Sequence, residues 1–292
     1  MVTAMFPSFS WRLRTKTLTA GQIPRLMGVV NVTPDSFSDG GKFLDPAVAV
    51  EHGLRLATAG ADMLDIGGQS TRPGATPVSV EEELRRVLPV VVALCQQTDV
   101  PISIDTFSAK VAAECTSAGA EVINDISALT FDAGMEALAA SSGCGVCIMH
   151  MQGRPHTMQT NPQYGDVVEE VFAWLAARRD ALAAAGIARD RIALDPGIGF
   201  GKTAAHNVAI LQRLSRYRSL ECPCLIGLSR KAFIGRLIGD AMADRTAGTI
   251  GAALAAARQG VEVLRVHDVA AVRQALILFE AAGGLSDDIT SA

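Results

Sequence analysis

Short apolar runs recur along the chain, and each one ends in polar residues. The first, Leu26 to Val30, turns polar at Asn31 and enters a long turn-rich stretch through Thr33, Pro34, Asp35, Ser36, Asp39, Gly40 and Gly41. The next, Met63 to Ile66, contains Asp65 and closes into Gly67 to Gly74. Ile102 to Ile104 ends at Asp105, Val122-Ile123 at Asn124, Val146 to Met149 at His150, and Ile192 to Leu194 at Asp195. Cys224 to Leu228 runs into Ser229-Arg230-Lys231, and Val263 to Val266 carries Arg265 and is followed by His267. The segments between these runs are longer and repeat their apolar positions at helical spacing. Pro46 to Ala59 is one, with Ala47, Val50, Leu54 and Ala57 on one side. Others run from Ser79 to Gln97, up to Ala118, and over 133–140, 166–185, 207–217, 246–259 and 269–281.

Continuous apolar runs, as opposed to alternating ones, are expected of parallel strands covered on both faces. Eight strand-helix units over residues 26–285 predict one TIM (β/α)8 barrel of the α/β class. A doubly wound sheet does not favour eight units, nor does it need a polar residue at every strand end. The first 25 residues are basic (Arg12, Arg14, Lys16, Arg25) and contain no acid. Trp11, Leu13, Leu18 and Ile23 are interleaved with Arg and Thr, and Ala20-Gly21-Gln22 reads as a turn. This pattern predicts an N-terminal β-hairpin extension leading into the first barrel strand.

A lone Asp at a strand end is usually a turn or helix-cap residue. A set drawn from nearly every strand is harder to explain that way. In a barrel these ends converge on one mouth, where active sites of the fold lie. Asp105, Asn124 and Asp195 together suit a flat heterocycle with several N–H donors and ring acceptors. Lys231, Arg265 and His267 occupy the corner where the fold commonly binds phosphate. Asn31 and Asp65 lie beside the last strand once the barrel closes, so they are candidates for bringing Mg²⁺ to a phosphate.

Composition narrows the field. The 292 residues are 49% hydrophobic, enough for a sizeable core, and carry a net charge of −4. That balance argues against a nucleic-acid or anionic-membrane surface. Aromatics are 5% of the chain, too few for a base-stacking platform. No apolar run is long enough to span a bilayer, and there is no secretory signal core, so a cytoplasmic location is expected. The six cysteines are scattered and read as reduced, packed thiols. Cys144-Gly-Val-Cys147 has no second pair beside it and runs into an apolar strand, so it does not read as a zinc or redox site. Residues 195–203, Asp-Pro-Gly-Ile-Gly-Phe-Gly-Lys-Thr, fail as a P-loop because Pro196 stands where the first glycine belongs.

Seven segments then fall in one order: Asn31 to Gly41, Asp65 to Gly74, Asn124 to Ile126, Met149 to Gly153, Asp195 to Lys202, Ser229 to Gly235 and Arg265 to Val269. With them, the chain from about Leu26 to Ala281 resembles the dihydropteroate synthases. The resemblance implies a transferase of folate biosynthesis. It joins p-aminobenzoate to 6-hydroxymethyl-7,8-dihydropterin diphosphate and releases diphosphate. It also implies use of Mg²⁺, a homodimer, and inhibition by sulfonamides. By motif, Asp105, Asn124, Asp195 and Lys231 would hold the pterin, with Arg265 stacked on it. Asn31, Arg265 and His267 would hold diphosphate and Mg²⁺, with Asn31 as the metal ligand. Thr71, Arg72 and Pro73, with Phe37 and Phe200, would form the aminobenzoate pocket. Asp35, Asp105 and Asp195 would stabilise positive charge on the pterin. Residues 32–41 would act as a lid. Two positions depart from the family: Gln69 replaces a common Glu, and Ala232 replaces a Ser that meets the aminobenzoate carboxylate. That carboxylate would then depend on backbone N–H groups and Arg72. Other readings for such a chain are a pterin-binding barrel that moves a methyl group from methyltetrahydrofolate and a non-catalytic pterin-binding paralogue. The first would lack the diphosphate corner, and the second would be expected to lose loop residues that stand here.

Overall fold

The computed structural model describes residues 9–33, 45–71 and 78–285. It begins with two short strands, β1 (Ser10–Arg12) and β2 (Thr17–Thr19), paired antiparallel with Trp11 opposite Leu18. Their turn closes where the Leu13 N–H donates to the Lys16 carbonyl at 2.9 Å. The expected hairpin is therefore present, and Ala20 to Gln22 is its link to the next strand.

The remaining strands are β3 (Arg25–Asn31), β4 (Met63–Gly67), β5 (Ile102–Asp105), β6 (Val122–Asp125), β7 (Gly145–Met149), β8 (Ile192–Asp195), β9 (Leu225–Gly227) and β10 (Val263–Val266). They form one eight-stranded parallel sheet in the order β8-β7-β6-β5-β4-β3-β10-β9. The ring closes where Leu194 bridges Cys224 and the Leu194 N–H donates to the Pro223 carbonyl at 2.8 Å. The helices are α1 (Pro46–Thr58), α2 (Val80–Gln97), α3 (Ala109–Ser117), α4 (Met135–Ser142), α5 (Val167–Ala184), α6 (Ala204–Gln212), α7 (Ala232–Ile238), α8 (Thr246–Arg258) and α9 (Val269–Ala281). Strands inside and helices outside make the predicted (β/α)8 barrel.

Local chemistry sets the helix starts. Asp45, Ser79, Asp166, Thr203 and Asp268 each accept from a backbone N–H in the first turn, satisfying donors that the helix leaves open. Pro89 sits inside α2 without ending it. Two details differ from the sequence expectation. Residues 207–217 split into the end of α6 and a 3-10 segment, Leu214–Leu220, which stops at Glu221 with φ +56°. The seven-residue α7 was expected only as a helix N-terminus at Ala232 and not in its extent, because a helix that short shows little more than one period of its pattern.

Two apolar cores result. The larger lies between the outward faces of the strands and the helices, and includes Leu64, Ile104, Ile123, Ile148, Leu194, Ile226 and Leu264. The smaller lies inside the barrel at the start of the strands. There Trp11, Leu13 and Leu18 of the hairpin meet the inward-facing Met27, Met63, Val122, Cys147, Ala193, Leu225 and Val263. Trp11 is fully buried, and its Nε1–H donates to the Arg191 carbonyl at 2.9 Å. The hairpin thus stoppers the lower end and leaves the polar end of the barrel for chemistry.

Candidate active site

Strand register sorts the inward-facing polar residues by depth. Asn31, Gly67, Asp105 and Asn124 are register partners and form one layer at the mouth. Asp65 pairs with Val29 and Ser103 and lies one layer deeper. Asp195 ends β8 opposite Met149.

Arg265 is the centre of this arrangement. Its Nε donates to Asp65 Oδ2 at 2.6 Å and its Nη2 to Asp105 Oδ2 at 2.8 Å. Asn124 Nδ2 also donates to Asp65 Oδ2, at 3.0 Å. Burial acts to lower the Arg265 pKa, but the two carboxylates outweigh it and hold the guanidinium charged. Burial pushes the Asp105 carboxyl far above the usual carboxylate range, and Arg265 opposes that push. Asp65 is fully buried beneath Arg265 and Asn124, whereas Asn31 is half-buried at the rim.

The second group gathers around Asp195 and Lys231. Asp195 Oδ1 accepts from the Gly197 N–H at 2.7 Å, and burial raises its pKa against the pull of Lys231. Lys231 stands at the N-terminal boundary of α7, donates to the Ile198 carbonyl, and lies 4.7 Å from the centre of the Phe200 ring. Burial, with the like charge of Arg265, lowers its ammonium to about 8. His267 takes its position from Ser229, whose Oγ accepts from the His267 N–H at 3.2 Å and lies 3.0 Å from its Nδ1. Thr71 is half-buried at the end of the described segment after β4, and Ala232 is exposed at the first turn of α7. Asp35, Phe37, Arg72, Pro73 and most of the expected lid lie outside the described residues.

Three contributors were not singled out from sequence. A Cβ on Gly227 would stand 3.7 Å from Lys231 Nζ and 4.0 Å from both Asp195 Oδ2 and Arg265 Cδ. Gly227 therefore marks the place where those three groups meet, with a Cβ there at ordinary contact distance from each. Gly197 adopts φ +73°, and a Cβ there would meet the His150 carbonyl oxygen at 2.0 Å. Lys202 is buried, donating to the His150 and Phe200 carbonyls at 3.3 and 3.0 Å with His150 Nδ1 at 3.0 Å. It fastens the 197–201 loop to the end of β7. His150 is correspondingly buried, and burial first, then Lys202, lowers its pKa to about 3. Gly197 and Lys202 were visible within Asp195 to Lys202 and Gly227 within the run Cys224 to Leu228, but their roles depend on contacts between strands far apart in sequence.

Residues 27–267 match the model of the pterin binding enzyme family. Dihydropteroate synthase of Escherichia coli (strain K12) is 46% identical over 258 residues, covering 88% of this chain and 91% of that protein. The chain belongs to the dihydropteroate synthases. Among solved structures, the Xanthomonas albilineans dihydropteroate synthase with 4-aminobenzoic acid superposes with a TM-score of 0.87 at 48% identity, covering 94% of this chain and 98% of that one. The same organism's enzyme in complex with 7,8-dihydropteroate gives a TM-score of 0.83 at 45% identity, covering 94% and 98%.

Proposed function

We propose that this mouth joins p-aminobenzoate to the methylene carbon of 6-hydroxymethyl-7,8-dihydropterin diphosphate, releasing diphosphate and giving 7,8-dihydropteroate. The observation that carries the assignment of roles is the convergence of Asp105, Asn124, Asp195, Lys231 and Arg265 on one rim, over a barrel closed below. In this reading Asp105, Asn124, Asp195 and Lys231 hold the pterin and Arg265 stacks on its face. Phe200, with Thr71, Arg72 and Pro73, shapes the aminobenzoate side. Arg265 and His267 receive the diphosphate.

The reacting carbon is benzylic-like, so the C–O bond to diphosphate breaks ahead of attack and leaves positive charge spread over the pterin. Asp105, Asp195 and Asp35 stabilise that charge, and the cations of β10 and Lys231 stabilise the departing anion. The arylamine nitrogen then attacks the carbon and loses a proton. It is neutral at pH 7, so no strong general base is required.

Mg²⁺ fits the residues present in a particular way. Among the described residues no cluster of three carboxylate, His or Cys ligands exists that would cage a metal. Asn31 offers a single amide oxygen at the rim, half-buried. Such a sparse donor set suits an ion that keeps several waters and takes its other oxygens from the substrate phosphates. When bound, Mg²⁺ would neutralise charge on the leaving diphosphate.

The proposed assembly is a homodimer. Among the described residues the largest exposed apolar side chains include Leu237, Ile238, Ile277 and Leu278 on α7 and α9, and Met242 beyond α7. Between them α8, packed on α9, exposes Ala247, Gly251 and Ala255 at helical spacing. No helix among the described residues is long and apolar enough to cross a membrane. The deciding assay mixes purified protein, both substrates and Mg²⁺. Diphosphate release that depends on p-aminobenzoate is the expected result, and its absence would sink the proposal.

A further inference from the structure

Arg265 and Asn124, both assigned above to the pterin, meet at a single atom, Asp65 Oδ2. Asp65 lies too deep to touch substrate, one layer below the rim and wholly enclosed. Its other oxygen, Oδ1, has no hydrogen-bond partner among the described residues. The hydroxyl of Ser103, its register partner on β5, is likewise buried and unpartnered among them. The carboxylate is therefore committed through one oxygen to two side chains of the pterin layer.

The two arms of the Arg265 fork differ in accessibility. The Asp65 end is completely enclosed, while the Asp105 side chain is 18% exposed at the mouth. A ligand arriving from above can take Asp105 away from Nη2. It cannot reach the bond between Nε and Asp65. Rotation about that anchored Nε would swing the guanidinium over an incoming ring without releasing it from the barrel.

We propose that Asp65 is a positioning residue for the pterin: through one carboxylate oxygen it holds Arg265 and Asn124 in place and serves as the pivot on which Arg265 turns when the pterin takes over Asp105. This rests on the assignment of the pterin to Asp105, Asn124 and Arg265. Charge-assisted hydrogen bonds in a dry interior are short and strong, so the anchor survives the exchange. Without it, Arg265 has Asp105 as its remaining direct carboxylate partner, and the substrate must compete for that carboxylate.

Asp65→Asn keeps the shape and removes the charge. Its expected effect is a loss of pterin diphosphate affinity of about tenfold or more, read as KM and by fluorescence titration. The KM for p-aminobenzoate should move by less than about threefold, since that pocket is separate. In an Arg265→Met background the same substitution should cost little further pterin affinity. Full additivity of the two losses, or unchanged pterin affinity in folded Asp65→Asn, overturns the proposal. If that variant does not fold, the wild-type protein still decides the matter. The Arg265 Nε–H, assigned in nitrogen-labelled protein by its absence in Arg265→Lys, should resist solvent exchange both before and after pterin addition. Rapid exchange once pterin is bound overturns the pivot. Wild-type diphosphate release is measured alongside. Its failure would sink the proposed reaction, whereas normal release with unaffected Asp65→Asn binding sinks the Asp65 role alone.

Discussion

Lys231 combines a half-buried position, the neighbouring Phe200 ring and a lowered ammonium pKa, so its charge is available only over a limited pH range. The free protein should bind the anionic pterin diphosphate well while Lys231 is protonated and progressively less well as pH rises through about 8. This predicts a falling alkaline limb near that pH in kcat/KM for the pterin substrate, since that ratio reports the free enzyme. Lys231→Arg should shift the limb to higher pH, and a limb unmoved by that substitution would assign it to another group. Lys231→Ala removes the cation altogether. Pterin diphosphate affinity should then fall by about thirtyfold or more, as when one member of a buried charged pair is truncated. Fluorescence titration measures it, and unchanged affinity would overturn the placement of the pterin.

At the scale of strands and helices, much was legible because parallel strands end where their apolar runs end. Asn31, Asp105, Asn124 and Asp195 could be placed on one rim from sequence alone, and register pairing puts Asn31, Asp105 and Asn124 in a single layer. Asp65 was harder to place. It also follows apolar residues, yet it sits two positions short of the end of β4, a depth that only the register with β3 and β5 reveals. His150 likewise reads as a rim residue but is buried against Lys202, 52 residues further along the chain. The hairpin was predicted, but its destination was not, because Trp11 finds its acceptor 180 residues away. Trp11→Ala would open a cavity in the barrel floor and remove that hydrogen bond. The expected cost is about 3–5 kcal/mol of stability by urea denaturation. The KM values should change little, because the rim is built by other residues. A full-strength fold in Trp11→Ala would show that the floor does not depend on the hairpin.

For the whole molecule, the exposed apolar residues of α7 and α9, beside the smooth face of α8, predict self-association. Sedimentation should find a dimer, and Leu278→Lys, at a side chain 69% exposed, should shift it toward monomer while leaving the circular dichroism of the fold unchanged. A Leu278→Lys protein that remains fully dimeric would move the interface elsewhere.

The stopper of Trp11, Leu13 and Leu18 also governs traffic. A barrel packed shut at one end is a blind well, so among the described residues there is no rear exit for diphosphate and no separate way in for the second substrate. Everything that reacts must arrive and depart through the same opening, and whatever has not yet left stands in the path of what comes next. Order of departure is then a matter of position: the molecule nearer the rim leaves first, and the deeper one waits. Turnover in such a well becomes sensitive to accumulated product in a way that an open-ended channel would not be.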